Sequence, residues 1–386
     1  MNKFRFYNPV RVFFGPGEMN RLGIEAVKYG KVALLVKTTG PLERLGVYER
    51  ATQLMTDSGM KVHTLEGVEP NPKLTQVEKG ARICRDNGVD VVIAVGGGSA
   101  IDCAKAVAFA ALDDGDIWDF FLLKRVPKDG LPIGAVSTLA ATGSEMNVNC
   151  VITNDRTQQK YSAHFEFSFP KFAIIDPELH RTVPRFMTAC GMVDTISHVM
   201  EGYFDGCGDT PLQDRIAEGI ILTVMENERA LVNPDDMSAR NNLAWAATLG
   251  INGINDAGRG GKMWDAHTIE HEVSAKYDIT HGAGLAVIHP AWLVHLCRKN
   301  PEKFVQFAER VFGIEKANKS DLEVGLEGIK VLRMKFRNWG APITLKEVGV
   351  EKKMLPKLAE HVPKNPEGHA LDKKEVLAVL ESCYES

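Results

Sequence analysis

Histidines and an aspartate with helical spacing are the first residues that could do chemistry. One short segment in the C-terminal half contains three of the chain's 11 histidines, namely His267, His271 and His281. His267 and His271 stand four residues apart, as Asp194 and His198 do further upstream. Side chains with this spacing lie on one face of a helix, where a carboxylate and imidazoles can share an ion. Because the set contains no thiolate, we predict a divalent metal ion, Fe²⁺ or Zn²⁺.

Glycines that follow an apolar run are the second set of candidate functional residues. In VIAVGGGSAIDCAK, three glycines and a serine separate a predicted strand from a predicted helix. Glycine lets the backbone approach a ligand closely, and a helix N-terminus offers N–H groups and positive partial charge to a phosphate. We therefore predict cofactor contacts at Gly96, Gly97, Gly98, Ser99 and Asp102. The alternative is a plain turn in which Ser99 caps the helix and Asp102 completes a capping box.

A second polar loop supports the same interpretation. The segment STLAATGSE, residues 137–145, follows the next predicted strand. Ligands of doubly wound sheets bind at the carboxyl ends of the parallel strands, where two loops of this kind would both lie. Together the two loops predict a nucleotide cofactor.

The elements that must hold these residues follow from the hydrophobic pattern. The first half of the chain contains apolar runs at residues 31–39, 89–99, 131–145 and 172–179. Amphipathic segments with helical spacing lie between these runs. Strands that are apolar on both faces predict a parallel sheet covered by helices on both sides. Helical periodicity prevails further on. We predict an α/β domain with a parallel, Rossmann-like sheet at residues 1–180 and an all-helical domain at 181–386, whose tail after about Leu345 is solvated.

Composition narrows the class of protein. The chain has 386 residues, 44% of them hydrophobic, and a net charge of −4 without a basic block, which argues against nucleic-acid binding. No apolar run approaches the roughly 20 residues that cross a bilayer, and the N-terminus does not have the pattern of a signal peptide. Seven scattered cysteines indicate reduced thiols. These features predict a cytoplasmic enzyme with a small-molecule substrate and no membrane partner.

Taken together, the motifs resemble the iron-dependent (group III) alcohol dehydrogenases. The resemblance rests on GGGSAIDCAK, ATGSE, the Asp194–His198 pair and the H-x-x-x-H…HG pattern. Within that family, FRFYNPVRVFFGPGEM, GVEPNP, WAAT and EHEVSAKYDITHG are similar to the butanol dehydrogenases and NADPH-dependent aldehyde reductases. The resemblance implies a dehydroquinate synthase-like fold. It also implies hydride transfer between NAD(P)H and short- to medium-chain primary alcohols or aldehydes.

The resemblance also implies roles for particular residues. Asp194, His198, His267 and His281 would be the four metal ligands. His271, one turn beyond His267, would lie near the substrate and shape the pocket or pass protons. Further cofactor contacts are implied at Thr38, Thr39, Gly40, Asn71, Thr138, Thr142 and Lys160.

The turn after the first long apolar strand bears on the choice of nicotinamide. An acidic residue there often grips the 2′-hydroxyl of the adenine ribose and rejects a 2′-phosphate. The turn from Lys37 to Gly40 has no acidic residue before Glu43. We therefore predict that NADP(H) is favoured over NAD(H).

The N-terminal segment FRFYNPVRVFFG could supply an edge strand, which predicts a homodimer.

Other functions remain open at the level of the sequence. HTIEH matches HxxEH, the inverted zinc-protease motif, in which Glu270 would be the base. A protease would leave the glycine-rich turn and the Asp194–His198 pair unexplained. Glycerol-type polyol dehydrogenases and the lyase dehydroquinate synthase share the expected architecture, but they generally use three protein ligands rather than four. If the chain were a non-catalytic metal-binding protein, the two loops predicted to bind a cofactor would have no function.

Overall fold

The chain divides into two compact units. The computed structural model describes residues 1–204, 209–260, 264–366, 368 and 370–385. One unit, here called the sheet unit, comprises Tyr7–Val183 and Pro234–Asn252. The other, the helical unit, comprises Met1–Phe6, Pro184–Asn233 and Gly253–Ser386. The domain limits given by the sequence, 1–180 and 181–386, stay a prediction.

The strands all belong to the sheet unit. They are β1 (Arg11–Phe14), β2 (Val32–Thr38), β3 (Lys61–Val68), β4 (Val91–Gly96), β5 (Ile133–Ser137), β6 (Asn149–Asn154), β7 (Gln159–His164) and β8 (Phe172–Ile175). Six of them form a sheet in the order β1-β8-β5-β4-β2-β3, and every neighbouring pair in it is parallel. The other two, β6 and β7, form an antiparallel hairpin.

Helices flank the sheet and make up the helical unit. The α-helices are α1 (Leu22–Ala26), α2 (Pro41–Arg44), α3 (Val47–Asp57), α4 (Leu74–Asn87), α5 (Gly98–Ala110), α6 (Trp118–Phe121), α7 (Arg185–Tyr203), α8 (Pro211–Glu226), α9 (Met237–Gly250), α10 (Asp265–Tyr277), α11 (His281–Lys299), α12 (Glu302–Phe312), α13 (Asp321–Trp339), α14 (Leu355–His361) and α15 (Lys373–Ser382). Short 3₁₀ helices occupy Glu18–Arg21, Val27–Tyr29, Ser144–Met146, Glu166–Ser168, Pro177–His180, Glu228–Leu231, Lys352–Met354 and Val362–Lys364. In the described ranges, no helix combines the length and the apolar character that crossing a bilayer requires.

The central strands of the sheet are buried on both faces. Leu34 and Val36 of β2 belong to one hydrophobic cluster, which includes α4 and α5. Ala33 and Leu35 belong to a second cluster, which includes α3. This alternation is what a continuous apolar run produces when helices cover both sides of a parallel sheet. We predicted a parallel, Rossmann-like sheet followed by an all-helical part. The fold class is confirmed, with a parallel six-stranded sheet, its helices and a mostly helical C-terminal part.

Three helices of the helical unit pack closely enough to build a site. The helix α7 is buried from Thr188 to Tyr203, and α11 packs against both α7 and α10. The close approach depends on Gly282 near the start of α11, because a Cβ there would lie 2.1 Å from the carbonyl oxygen of Cys190. Glycine at this point therefore brings the first turn of α11 against the middle of α7.

The prediction that the C-terminal tail is solvated is wrong. The tail contributes to a buried cluster with α10 and α11 whose members include Leu345, Val350, Leu355, Leu358, Val362, Val376, Val379 and Leu380. Short helices such as α14 and α15 carry few apolar residues each, so their periodicity is weak in the sequence. Their apolar faces become evident once α10 and α11 lie beside them.

A buried carboxyl group makes the stability of this cluster depend on pH. Glu272 of α10 is 9% exposed and pairs with His361 Nδ1 of α14 at 3.1 Å. Burial raises the pKa of Glu272 to about 7. The folded state therefore holds a proton that the unfolded state releases near pH 4.5, so this contribution to stability is lost as pH rises towards 7 and beyond.

We expect Glu272→Gln to remove that dependence, because glutamine keeps the size and the acceptor oxygen but cannot ionise. Urea unfolding of the metal-free proteins should show that the wild type loses on the order of 3 kcal/mol relative to the variant between pH 4 and pH 8. Parallel stability curves for the two proteins over this range would contradict the expectation.

Candidate active site

The helix α7 presents acidic and imidazole side chains along one buried face. Asp194 and His198 are 2% and 4% exposed, and Asp194 Oδ1 lies 3.5 Å from His198 Nε2. Glu201 follows at i+7 from Asp194, on the same face. The i, i+4 spacing seen in the sequence therefore corresponds to two side chains that approach one another.

The two other predicted ligands come from α10 and α11. His267 is the third residue of α10 and His281 the first of α11. One donor atom each from Asp194, His267 and His281 lie within 4.8 Å of one another. The Nε2 atom of His281 is 3.7 Å from Asp194 Oδ1. The rings of His198 and His267 are stacked, with their centroids 5.0 Å apart. The structure thus groups three of the four side chains proposed as ligands, Asp194, His267 and His281, and places the fourth, His198, beside Asp194 and His267.

The separations suit a divalent ion. Tetrahedral ligands about 2.1 Å from an ion lie about 3.4 Å from one another. The distances from Asp194 Oδ1 to the Nε2 atoms of His198 and His281, 3.5 and 3.7 Å, are close to that value. Three imidazoles and a carboxylate form a donor set that accommodates Fe²⁺ and Zn²⁺ alike. The residues present therefore fit the metal that the sequence predicts.

Two buried glutamates lie behind the histidine rings. Glu201 Oε1 accepts hydrogen bonds from His267 Nδ1 at 2.8 Å and from the backbone N–H of His267 at 3.1 Å. Glu270 Oε2 pairs with His281 Nδ1. A carboxylate only accepts hydrogen bonds, so Nδ1 is the donor and Nε2 carries the lone pair that a metal needs.

The sequence analysis missed both of these roles. The spacing of Glu201 on the face of Asp194 was a usable signal, whereas the partner of Glu270 lies on another helix. Glu270 was considered as the base of a protease. In the structure it is fully buried and bonded to His281, so it does not stand as an open base beside an ion.

His271 lies next to the cluster on α10. It is 5% exposed, its ring centroid is 5.4 Å from that of His281, and it groups with Glu270 and His281 within 4.8 Å. The indole of Trp264 meets the ring of His267 edge-on at 4.9 Å. The position of His271 agrees with the expected place beside the metal ligands. Its role stays a prediction.

In the sheet unit, the glycine turn differs from the simple capping alternative. The helix α5 begins at Gly98 with Gly97 at the N-cap position, and no side chain caps it. Ser99 lies inside the first turn, so the alternative with Ser99 as the cap and Asp102 as its capping-box partner is wrong. Asp102 instead accepts hydrogen bonds from Ser144 Oγ at 2.6 Å and from Val151 N at 3.0 Å.

The two predicted loops are packed against each other. A Cβ on Gly98 would lie 2.4 Å from Thr142 Oγ1, so glycine is needed for this contact. Thr138 continues the pairing of β4 and β5, because its N–H donates to the carbonyl of Gly96 at 3.0 Å. Gly96 and Thr138 are thus neighbours at the carboxyl ends of adjacent strands, where a doubly wound sheet binds its ligand.

A buried lysine that the sequence analysis did not single out joins the same loops. Lys105 is fully buried, and its ammonium donates to Ser144 Oγ at 2.8 Å, Asn147 Oδ1 at 3.0 Å and the Asn149 carbonyl at 2.8 Å. Burial lowers the pKa of Lys105 to about 8, so the amine is a cation at neutral pH. It fixes the second loop to α5 by charge-assisted hydrogen bonds.

The remaining predicted cofactor residues fall into two places. Thr38, Thr39 and Gly40 follow β2, where the Thr38 N–H donates to the Tyr48 hydroxyl at 2.9 Å and the Thr39 N–H to the Val68 carbonyl at 3.1 Å. Asn71, which has a positive φ of 53°, and Lys160 of β7 are joined by a hydrogen bond of 2.9 Å and are both buried.

Comparison with known families identifies the class of protein. The profile described as iron-containing alcohol dehydrogenase matches residues 9–177, and the profile of the C-terminal part of the Fe-containing alcohol dehydrogenase family matches residues 188–384. These matches define the class as a metal-dependent oxidoreductase that uses NAD(P)H. The chain belongs to the iron-containing alcohol dehydrogenase family, in the butanol dehydrogenase branch.

Several named or solved proteins are similar over 94–100% of their length. The chain is 43% identical over 386 residues to a probable NADH-dependent butanol dehydrogenase of Bacillus subtilis, covering 99% of this chain and 100% of the relative. It is 34% identical to the NADPH-dependent aldehyde reductase YqhD of Escherichia coli, covering 94% of each. The crystal structure of NADH-dependent butanol dehydrogenase A from Thermotoga maritima superposes with a TM-score of 0.96 at 39% identity, over 100% of this chain and 99% of that one. The predicted activity of a metal-dependent alcohol dehydrogenase or aldehyde reductase is confirmed at this level.

Proposed function

We propose that the helical unit holds a divalent ion through Asp194, His198, His267 and His281, and that the sheet unit binds a nicotinamide dinucleotide with its glycine-rich loops. The reaction is the reversible oxidation of short- to medium-chain primary alcohols to aldehydes. The observation that carries the proposal is the approach of donor atoms from three helices to within 4.8 Å. A bound divalent ion supplies positive charge that lowers the pKa of an alcohol and polarises an aldehyde carbonyl.

The chain's own residues hold and orient the reacting groups. One carboxylate and three neutral imidazoles leave about one positive charge on a divalent ion, enough to favour an ionised oxygen at the site. Glu201 and Glu270 orient the rings of His267 and His281 through Nδ1. We assign to His271, whose ring lies 5.4 Å from that of His281, the transfer of the proton from the substrate hydroxyl. Catalysis then comes from position and charge rather than from a strong base at the carbon.

The decisive experiment removes the metal. Aldehyde-dependent loss of absorbance at 340 nm should disappear on thorough chelation and return with Fe²⁺ or Zn²⁺. Full activity in the metal-stripped protein would refute the proposal.

The substrate class is tested separately. Glycerol tested in parallel distinguishes a polyol dehydrogenase, and a series of aldehydes from ethanal to octanal shows which chain length the enzyme prefers. We expect butanal to lie near the optimum, as the names of the relatives from Bacillus subtilis and Thermotoga maritima indicate.

Charged side chains around the turn that follows β2 bear on the choice of nicotinamide. Lys37 lies 3.3 Å from a carboxylate oxygen of Glu43 and 3.5 Å from one of Glu66. Two carboxylates and one ammonium leave a net negative charge beside the turn, which disfavours a 2′-phosphate. The preference for NADP(H) inferred from the turn alone stays unconfirmed, and relatives more similar than the NADPH-dependent one are named NADH-dependent. We therefore propose NADH.

The preference for NADH can be measured directly. We expect kcat/KM with NADH to exceed that with NADPH by about tenfold or more at low ionic strength, where exposed charges are least screened. Glu66→Lys should reduce that ratio, because it replaces one of the two carboxylates with a second ammonium. An equal or higher kcat/KM with NADPH in the wild type would refute this choice.

Assembly and location are proposed from two further observations. The strand β1 lies at the end of the sheet order, and Tyr7, which precedes it, is 48% exposed. An exposed strand edge of this kind pairs readily with a second copy, so we propose a homodimer, to be tested by light scattering. The six cysteines in the described part of the chain are buried thiols, which supports a cytoplasmic location.

A further inference from the structure

We propose that Glu270 is the positioning residue for the metal-binding ring of His281, and that residue 284 is glycine in order to leave room for the Glu270 carboxylate. This inference rests on the proposed function, in which His281 is a ligand. It assigns a role to the acidic residue of HTIEH and to the second glycine of HGAG, neither of which is among the four proposed ligands.

The contacts place the Glu270 carboxylate between the ring of His281 and the backbone of Gly284. Glu270 is fully buried, and its Oε2 pairs with His281 Nδ1. A Cβ on Gly284 would lie 2.6 Å from Glu270 Oε1, 2.7 Å from its Cγ and 3.0 Å from its Cδ. Real Cβ atoms do not make contacts this short, so any side chain at residue 284 would displace the carboxylate.

The helical spacing explains why these residues act together. Gly284 stands at i+3 from His281 on α11, so the two positions are neighbours on one face. The facing helix α10 carries Glu270, which reaches into the space that the missing side chain leaves. The carboxylate fixes Nδ1 as the donor and holds the ring, which leaves Nε2 directed towards Asp194 at 3.7 Å.

The alternative is that Glu270 only stabilises the contact between α10 and α11. A buried carboxylate is a costly way to stabilise an apolar helix interface, since an apolar side chain of similar volume is often as good or better. Glu201 would be a less selective probe, because it also accepts the backbone N–H of His267 near the start of α10. Glu270 and Gly284 therefore offer the sharper test.

The test measures metal binding rather than turnover. Apo protein is titrated with Zn²⁺ against a chromophoric chelator, and the visible spectrum of the Co²⁺ form reports the ligand geometry. We expect Glu270→Ala and Gly284→Ala to weaken Zn²⁺ binding by about 10–100-fold and to change the Co²⁺ spectrum. Glu270→Gln retains an acceptor oxygen, so it should recover part of the affinity.

Two matched controls separate positioning from general stability. Glu272→Gln alters another buried glutamate–histidine pair on the same helix, one that joins Glu272 to His361. Gly219→Ala adds a Cβ to the glycine of α8 that has nothing within 4 Å of that position. Both controls should bind Zn²⁺ within about twofold of the wild type. The shift in unfolding temperature on adding Zn²⁺ should shrink in the Glu270 and Gly284 variants and persist in the controls.

The outcomes distinguish this inference from the proposed function. A wild-type protein that does not bind Zn²⁺ more tightly than Asp194→Ala would overturn the proposed function, and this inference with it. If Zn²⁺ binding by the wild type depends on Asp194, but Glu270→Ala and Gly284→Ala bind Zn²⁺ as tightly as the wild type, only this inference is overturned. It is also overturned if the two control variants lose as much affinity for Zn²⁺ as the Glu270 and Gly284 variants do. If Glu270→Ala does not fold, Glu270→Gln and Gly284→Ala decide the matter by the same criteria.

Discussion

Asp194→Ala is expected to lower kcat/KM for an aldehyde by on the order of 1,000-fold, equivalent to about 4 kcal/mol of transition-state stabilisation. Asp194 Oδ1 lies between two rings, 3.5 Å from His198 Nε2 and 3.7 Å from His281 Nε2. Alanine would remove the one carboxylate of the proposed ligand set and leave three imidazoles. Because we propose that NADH binds to loops of the sheet unit, its binding should persist while the metal is lost.

Three measurements check this expectation. The purified variant should have lost its metal. It should still bind NADH, as measured by fluorescence, and steady-state kinetics should show the expected fall in kcat/KM. His267→Ala should behave in the same way. His295→Ala is the matched control, because His295 pairs with Glu375 away from the cluster. An Asp194→Ala enzyme with near-normal metal content and turnover would remove the basis of the proposed ligand set.

Most of the fold could be predicted from the sequence because its signals are local. The strands β2, β4, β5 and β8 fall within the predicted apolar runs, and the strand-to-helix turn at Gly97 lies between β4 and α5 as expected. Each of these elements is specified by the residues that compose it. The solvated C-terminal tail was a wrong prediction because short helices carry too little of this local signal.

The candidate site was predictable only in part, since its partners are distant in sequence. Asp194 and His198 share a helix, so spacing alone suggested their proximity. Glu201 and His267 are 66 residues apart, and Lys105 and Ser144 are 39 apart. No periodicity links such pairs, and the resemblance to a family suggested the proposed ligands but not the carboxylates behind them.

The nicotinamide preference illustrates the same limit. The turn from Lys37 to Gly40 contains no acid, so the sequence favoured room for a phosphate. Pairing of β2 with β3 brings Glu66 beside Lys37, so that together with Glu43 two carboxylates lie near one ammonium. An electrostatic argument from one turn therefore omits a carboxylate that a neighbouring strand supplies, and the choice between NADP(H) and NAD(H) stays a prediction.

Gly97→Ala is expected to raise KM for NADH by about 10–100-fold with little loss of stability. Gly97 has φ −79° and ψ −168°, a conformation that alanine adopts without strain. A Cβ there would lie 3.4 Å from Leu139 Cβ, which is an ordinary van der Waals contact. The protein thus has room for the methyl group. Any loss of NADH binding would then report that the dinucleotide itself needs the backbone of this turn.

The comparison with Gly98→Ala makes the result interpretable. At Gly98 the added Cβ would lie 2.4 Å from Thr142 Oγ1, so this variant should lose both stability and NADH binding. Urea unfolding and NADH titration of both variants separate the two effects, with Gly97→Ala expected within about 0.5 kcal/mol of the wild type. Metal content should be unchanged in Gly97→Ala. If Gly97→Ala binds NADH as the wild type does, the glycine turn is needed for packing against the second loop and not for approach of the cofactor.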